Sequence, residues 1–178
     1  MEKTINSNLI YKGKVITVYK DDVLVEKNGG IKSIREVVHH NGGVVGLVKT
    51  KNRKVKFVSQ YRYVLKENIV ELPAGKIEIG EDPKETIYRE LIEEVGVKAN
   101  NIEYVGKMFV SPGYCDEAIY MYYVDDYEDA EQSFDEDENL DVFEVEVEEA
   151  FKMIENGKLI DAKTVCLLLM KKEELLKK

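Results

Sequence analysis

The chain has 178 residues, 44% of them hydrophobic, and a formal net charge of −9, which suits one globular domain or one domain with a small extra lobe. The acidic balance argues against a nucleic-acid partner, since free-standing nucleic-acid binders are normally basic. Two isolated cysteines, Cys115 and Cys166, form no zinc pattern and favour reduced thiols in a cytoplasmic protein, and neither a signal peptide nor a membrane-spanning segment is predicted.

The first forty residues predict a small antiparallel β-lobe. The stretch YKGKVITVYKDDVLVEKNGG alternates in polarity and is rich in β-branched residues, and the Gly29-Gly30 pair predicts a hairpin turn before IKSIREVVHH. Residues 1–40 carry seven Lys/Arg and five Asp/Glu, whereas the rest of the chain is strongly acidic. This change in charge indicates two parts, an N-terminal lobe of residues 1–40 and a main domain of residues 41–178.

The main domain mixes strands and helices without a regular βα alternation. The predicted strands are GGVVGLVKT, KVKFVSQYRY, NIVELPAG, NIEYVGKMFV, EAIYMYYV and DVFEVEV, with a loop, SPGYCDE, ahead of EAIYMYYV. Two helices close the chain: EEAFKMIENG, ended by Gly157, and AKTVCLLLMKKEELLKK, capped by Asp161. This order favours an α+β fold with a mixed sheet over a doubly wound fold.

A further helix is predicted in the middle of the chain, over residues 83–95. Asp82 is a suitable N-cap, Pro83 suits the first helical position, and Gly96 suits the C-terminal stop. The apolar residues of this segment share one face of the helix; they are Ile87, Tyr88, Leu91, Ile92 and Val95.

Three glutamates crowd another face of the same helix. Glu90 and Glu94 are one turn apart and Glu93 lies beside them, so their carboxylates repel one another unless something neutralises the charge. One interpretation is a solvated acidic face with Arg89 as the local counter-charge. The other is a site for a hard divalent cation such as Mg²⁺ or Mn²⁺, which prefers carboxylate and carbonyl oxygens.

The stretch GKIEIGEDPKETIYRELIEEVGV, residues 75–97, resembles the Nudix box, the signature of the Nudix hydrolase family. Every fixed position of that pattern is filled at the right spacing: Gly75, Glu81, Arg89, Glu90, Leu91, Glu93, Glu94, Gly96 and Val97. The resemblance implies an α/β/α sandwich with a mixed sheet. It also implies metal-dependent hydrolysis of a nucleoside diphosphate linked to another group.

The resemblance further implies roles for individual residues. Glu90 and Glu94 are the expected principal Mg²⁺ ligands, with Mn²⁺ as the alternative ion, and Glu93 is a further ligand or catalytic partner. The backbone carbonyl of Ala74 is expected to complete the metal site, and Arg89 to orient the glutamates through charge-assisted hydrogen bonds.

The flanks of the box resemble the ADP-ribose pyrophosphatase subgroup. QYRYVLKENIVELPAGKIE leads into the box, and the loop SPGYCDE places Pro112 sixteen residues after Gly96. The resemblance implies that Glu117 acts as the catalytic base or holds the attacking water, and that Arg62 faces phosphate. The expected reaction is hydrolysis of ADP-ribose to AMP and ribose 5-phosphate.

The N-terminal lobe resembles the part of that subgroup that exchanges across a homodimer and helps to bind adenosine. Arg35 and Glu36 match a pair near the adenosine in relatives, so we expect both to contact substrate. An exposed pair of strand residues would fit Arg35 and Glu36 equally well, and a surface arginine would fit Arg62.

Three alternatives stay open on the sequence. In the first, the substrate is another nucleoside diphosphate derivative, such as a nucleotide sugar or a dinucleotide. In the second, the protein is a non-catalytic ADP-ribose-binding module, and in the third it binds calcium. The complete set of box glutamates favours catalysis over mere binding. An EF-hand-like acidic pattern begins at Asp135, but Leu140 occupies the position of the turn glycine, which disfavours a calcium loop.

Overall fold

The computed structural model describes residues 1–27, 30–133 and 140–177, which divide into two compact units. The first unit combines Met1–Gly42 with Phe109–Ala118, and the second combines Gly43–Met108 with the chain from Ile119 onwards. The lobe predicted from the sequence ends at residue 40, whereas the first unit also takes in a segment from the middle of the chain.

The first unit is built on a three-stranded antiparallel sheet with strands in the order β1-β2-β3. Its strands are β1 (Glu2–Lys12), β2 (Ile16–Val25) and β3 (Ile31–His40). Val25 pairs with Ile31 across the predicted hairpin. This sheet confirms the predicted antiparallel N-terminal lobe. Gly29 of the predicted turn lies outside the described residues, as does the start of the acidic pattern at Asp135.

The second unit is built around a mixed four-stranded sheet in the order β7-β4-β10-β9. Its strands are β4 (Gly43–Val48), β7 (Ala74–Lys76), β9 (Glu103–Phe109) and β10 (Ala118–Val124). Strand β4 runs parallel to β10 and antiparallel to β7. The sheet therefore combines both pairing modes, as the sequence predicted.

Two smaller sheets and four helices complete the second unit. An antiparallel sheet has the order β12-β5-β6, with β5 (Lys54–Arg62), β6 (Glu67–Glu71) and β12 (Leu140–Glu146). Two short strands, β8 (Val97–Ala99) and β11 (Tyr127–Asp129), pair antiparallel. The helices are α1 (Pro83–Val95), α2 (Val147–Glu155), α3 (Ala162–Met170) and α4 (Lys172–Leu176).

Strand β4 is buried on both faces, and its side chains pack into two separate hydrophobic cores. Val45 and Leu47 pack into a core with apolar residues of α2, α3 and α4, whereas Val44 and Val48 pack into a core with the apolar face of α1. Because successive side chains of a strand point to opposite faces, the sheet lies between α1 and the three C-terminal helices. This is the α/β/α sandwich that the sequence predicted.

The C-terminal helix differs from its prediction, because it is interrupted at Lys171. Lys171 is 6% exposed, and its ammonium group binds Glu103 and Glu174 and lies 4.1 Å from the centre of the Tyr123 ring. A buried ammonium needs such partners, and the helix breaks where Lys171 meets them. None of the helices in the described ranges has the length and apolar character needed to span a bilayer.

Candidate functional site

Helix α1 carries the acidic residues, and both of its ends are firmly defined. The Asp82 side chain accepts a hydrogen bond of 2.8 Å from the backbone N–H of Lys84, and Pro83 opens the helix. Gly96 ends it in a left-handed conformation (φ 61°), where an added Cβ would lie 2.7 Å from the carbonyl oxygen of Ala130. Only glycine fits this position without strain. Because both ends of α1 are fixed, the positions of the glutamates along the helix are fixed as well.

Glu90 and Glu94 lie on the inward side of α1. The helix packs through Ile87, Leu91 and Val95, and this orientation leaves Glu90 7% exposed and Glu94 2% exposed. The interpretation of a merely solvated acidic face is therefore wrong for these two residues. Burying a carboxylate is costly without compensating partners, so the groups that contact Glu90 and Glu94 determine whether both can stay charged.

Strand β7 lies against the two buried glutamates. The backbone N–H of Ala74 donates a hydrogen bond of 2.8 Å to Glu94 Oε2. A Cβ added at Gly75 would lie 1.9 Å from both Cδ and Oε1 of Glu90, so the carboxylate fits against the strand only because residue 75 has no side chain. The structure thus brings Ala74, Glu90 and Glu94 together, through the backbone N–H of Ala74.

Arg89 links the remaining acidic residues of the box. Its Nη1 donates hydrogen bonds of 2.8 Å to both Glu90 Oε1 and Glu93 Oε2, and its Nε donates one of 3.2 Å to Glu81 Oε1. Burial of the guanidinium alone would lower the pKa of Arg89, but the bond to Glu81 and the charge of Glu90 raise it above its ordinary value. The hydrogen bond from Arg89 in turn lowers the pKa of Glu81.

The donor set of this site fits a divalent cation. Three carboxylates, those of Glu81, Glu90 and Glu93, bind the Arg89 guanidinium. The Glu94 carboxylate accepts the hydrogen bond from Ala74, and carboxylate oxygens are the ligands that hard cations prefer. Within residues 1–27, 30–133 and 140–177, no three His, Cys, Asp or Glu side chains are grouped so as to hold an ion by themselves. Mg²⁺ commonly uses one or two carboxylates, with water and substrate phosphates as the other ligands, and Glu90 and Glu94 suit that mode.

Arg62, predicted to face phosphate, makes a bidentate pair with Glu71. Arg62 Nε and Nη2 donate hydrogen bonds of 2.6 and 2.7 Å to the two carboxylate oxygens of Glu71, which is 1% exposed. The Lys163 ammonium also contacts Glu71. Burial alone would raise the pKa of Glu71, but the bonds from Arg62 and the charge of Lys163 lower it overall.

The sequence analysis did not identify Glu71 or Lys163. The two residues are 92 positions apart, and no periodic pattern joins them. One signal was available: Glu71 falls at the buried end of a predicted strand, where an unpaired carboxylate would be unusual.

The other predicted site residues belong to the first unit. Backbone hydrogen bonds join Val38 to Tyr114 (2.7 Å) and Asp116 to Val38 (3.1 Å), so the loop that carries Pro112 and Glu117 lies along the end of β3. The two histidines flank this contact. Nδ1 of His39 lies 2.6 Å from Asp116 Oδ2, and Nδ1 of His40 lies 3.6 Å from Glu117 Oε1.

Arg35 and Glu36 are adjacent on β3, and their side chains have different neighbours. Arg35 donates a hydrogen bond of 2.9 Å from Nε to Glu2 Oε2, and Glu36 lies opposite Lys20 in the strand register. Neighbouring residues of a strand point to opposite faces, so these two side chains leave the sheet on different sides.

Comparison with known proteins agrees with the resemblance to the Nudix family. A family model described as NUDIX domain matches residues 39–168. An ADP-ribose pyrophosphatase of Bacillus subtilis (strain 168) is 41% identical over 165 residues, which cover 92% of this chain and 88% of that protein. A methanol dehydrogenase activator of Bacillus methanolicus is 40% identical over 166 residues, covering 92% of this chain and 89% of its own length.

A solved structure supports the fold. The crystal structure of an ADP compounds hydrolase superimposes with a TM-score of 0.83 and covers 98% of this chain and 94% of its own. The sequence identity is 20%, so the likeness concerns the arrangement of the elements.

Replacing Gly75 with alanine is expected to lower the free energy of unfolding by about 1–3 kcal/mol, because the new Cβ must displace the Glu90 carboxylate or strand β7. Urea denaturation measures the change. Gly113→Ala is the matched control, since no heavy atom lies within 4 Å of its added Cβ, and it should change stability by less than about 0.5 kcal/mol. Equal effects of the two variants would contradict the close contact between Gly75 and Glu90.

Replacing Glu71 with glutamine is expected to lower the free energy of unfolding by about 3 kcal/mol at neutral pH, because two cations then face a neutral group. The folded-state pKa of Glu71 lies below its ordinary value of 4.5. Its stabilisation is therefore complete above that value and is lost as the pH falls through the lower, folded-state pKa. The difference in free energy of unfolding between wild type and Glu71→Gln should therefore become smaller as the pH is lowered to about 3.

Urea denaturation between about pH 7 and pH 3 measures this gap. Glu67→Gln on the same strand is the control, since Glu67 is exposed and should show little effect at any pH. A gap that stays constant down to the acid end of the range would show that the charge of Glu71 is not what stabilises the fold.

Proposed function

Since the chain belongs to the Nudix hydrolase family, we propose that it hydrolyses the diphosphate bond of ADP-ribose, giving AMP and ribose 5-phosphate. The observation that carries this proposal is the Bacillus subtilis relative, an ADP-ribose pyrophosphatase that matches this chain over nearly its whole length. The complete box, with Glu90 and Glu94 buried beside Ala74, supports catalysis over binding alone.

The box residues would hold a divalent cation, for which we propose Mg²⁺, with Mn²⁺ as a substitute. Glu90, Glu94 and the carbonyl of Ala74 are its proposed ligands, and Glu93 is a further ligand or a partner in catalysis. When bound, such a cation offsets the charge of the diphosphate and activates a water molecule. Arg89 orients the carboxylates of Glu90 and Glu93 through its hydrogen bonds.

Further residues are proposed to position substrate and water. The bonds to Glu71 occupy Nε and Nη2 of Arg62, which leaves Nη1 for a phosphate oxygen. In the first unit, Glu117 is proposed to hold the attacking water or to accept its proton. Pro112, Arg35 and Glu36 are proposed to contact the substrate.

A cytoplasmic location is part of the proposal. Cys115 and Cys166 are both free thiols in the structure. Reduced, unpaired cysteines are typical of proteins that work in a reducing compartment.

Product analysis with a panel of diphosphates tests the function. The protein is incubated with Mg²⁺ and ADP-ribose, ADP-glucose, GDP-mannose, NADH or diadenosine polyphosphates, and AMP and the other products are quantified. We expect AMP from ADP-ribose to dominate. Glu94→Gln should lose about 100-fold or more in kcat, since it removes a proposed metal ligand worth several kcal/mol.

Glu85→Gln is the matched control for this experiment. Glu85 lies on the same helix but is exposed, so the same chemical change there should leave kcat within a few-fold of wild type. If a nucleotide sugar or a dinucleotide is cleaved faster, the substrate assignment fails and another Nudix activity replaces it. If ADP-ribose binds without being cleaved, the protein is a non-catalytic module.

We also propose a homodimer with exchanged N-terminal lobes. Strand β1 forms an edge of its sheet, and its apolar side chains are more than half exposed, with Leu9 at 54% and Ile10 at 62%. An edge strand with exposed apolar side chains favours association with another chain.

Light scattering coupled to size-exclusion chromatography tests the dimer. We expect wild type to elute at twice the 20.5 kDa of one chain, and Ile10→Lys to elute as a monomer because a charge would be buried in the interface. Val64→Lys is the control, since Val64 is 90% exposed in the second unit and should stay dimeric. A wild-type protein of single-chain mass would exclude the dimer.

A further inference from the structure

An ion cluster centred on the buried Glu71 lies outside the Nudix box and includes Arg62, Asp161 and Lys163. Glu71 is 1% exposed and contacts both Arg62 and Lys163, and the Lys163 ammonium also donates a hydrogen bond of 2.9 Å to Asp161. A buried ion pair contributes little net stability compared with well-packed apolar residues. Net stability alone therefore does not explain why these residues are brought together.

Every residue of the segment from Glu71 to Ala74 is anchored to another part of the second unit. After Glu71 with its two cations, the Leu72 N–H donates a hydrogen bond of 2.8 Å to Thr164 Oγ1. The carbonyl of Pro73 accepts one of 2.9 Å from the Gly46 N–H, and the Ala74 N–H donates one to Glu94. The chain that carries Ala74 is thus held from the base of α3 to the buried glutamates of α1.

The start of α3 supplies two of these anchors. Asp161 caps the helix by accepting a hydrogen bond of 3.0 Å from the Thr164 N–H. The body of the helix is fixed in the core through Leu167 and Leu168, both fully buried. Lys163 and Thr164 therefore project from a rigid base, and what they bind is held in a defined position.

We infer that Lys163 is a positioning residue for the cation site. Its ammonium group holds Glu71, which fixes the chain three residues later, where Ala74 meets Glu94. Among the described residues, the ion pairs of Lys163 are with Glu71 and Asp161, both outside the box, so it acts through Glu71. The inference rests on the proposed function, because it assumes that Ala74, Glu90 and Glu94 bind a divalent cation.

Whether the loss of Lys163 weakens or strengthens cation binding distinguishes a positioning role from a purely electrostatic one. Removing the positive charge of Lys163 makes the region more negative, which by Coulomb's law alone would strengthen the binding of a cation. If Lys163 positions Ala74 against Glu94, its removal weakens that binding instead. A loss of cation affinity in a Lys163→Met protein is therefore the signature of positioning.

The experiment measures Mn²⁺ binding by electron paramagnetic resonance in the whole protein. We expect Lys163→Met to weaken Mn²⁺ binding roughly 10-fold, the size typical of outer partners of a metal site. Lys163→Arg keeps the positive charge that holds Glu71 and should bind Mn²⁺ more tightly than Lys163→Met. Lys152→Met is the control, because Lys152 is exposed and pairs with the exposed Glu149, and it should leave binding unchanged.

A second variant keeps the inference testable if Lys163→Met is too unstable to study. The double variant Glu71→Gln/Lys163→Met removes the charge of the buried carboxylate together with that of one of its two cationic partners, so fewer unpaired charges remain than in Lys163→Met. If Lys163 acts through Glu71, the double variant should bind Mn²⁺ no more weakly than Glu71→Gln alone. A further loss in the double variant would overturn the inference.

Failure of this inference is distinguishable from failure of the proposed function. A wild-type protein that binds Mn²⁺ and cleaves ADP-ribose, with unchanged or tighter Mn²⁺ binding in folded Lys163→Met, overturns the positioning role alone. A wild-type protein that does not bind Mn²⁺ overturns the proposed metal site and the inference with it.

Discussion

The repulsion among carboxylates on one helix is the constraint on which the rest of the structure depends. Glu90 and Glu94 are buried one turn apart, and Glu93 lies beside them. Such a group persists only if hydrogen bonds and positive charge compensate it. Arg89 and the backbone of Ala74 supply part of that compensation. Carboxylate oxygens are also the ligands that divalent cations prefer.

The packing of the fold holds α1 and strand β7 in fixed positions around these carboxylates. Strand β4, buried on both faces, fixes α1 on one side of the sheet and α2 to α4 on the other. Strand β7 then approaches α1 so closely that Gly75 has no room for a side chain beside Glu90. Since α3 holds the chain just before β7 through Lys163 and Thr164, both helix layers contribute to the geometry of one site.

Local signals in the sequence predicted some elements well. The bounds of α1 agree with the prediction because Asp82 and Gly96 define its ends by local hydrogen bonding and backbone conformation. Strands β7, β8 and β11 have three residues each, too few for a period to show. The break at Lys171 also escaped prediction. At that residue the ammonium group contacts Glu103, which is distant in the chain.

The sequence by itself determined the family pattern, the acidic helix and the identity of the proposed metal ligands, because a box at fixed spacing is a local property of the chain. Only the tertiary structure decided that Glu90 and Glu94 are buried, that Ala74 meets Glu94, and that Arg62 shares Glu71 with Lys163. These contacts join residues up to 92 positions apart. They depend on how sheets and helices pack, which no short stretch of sequence encodes.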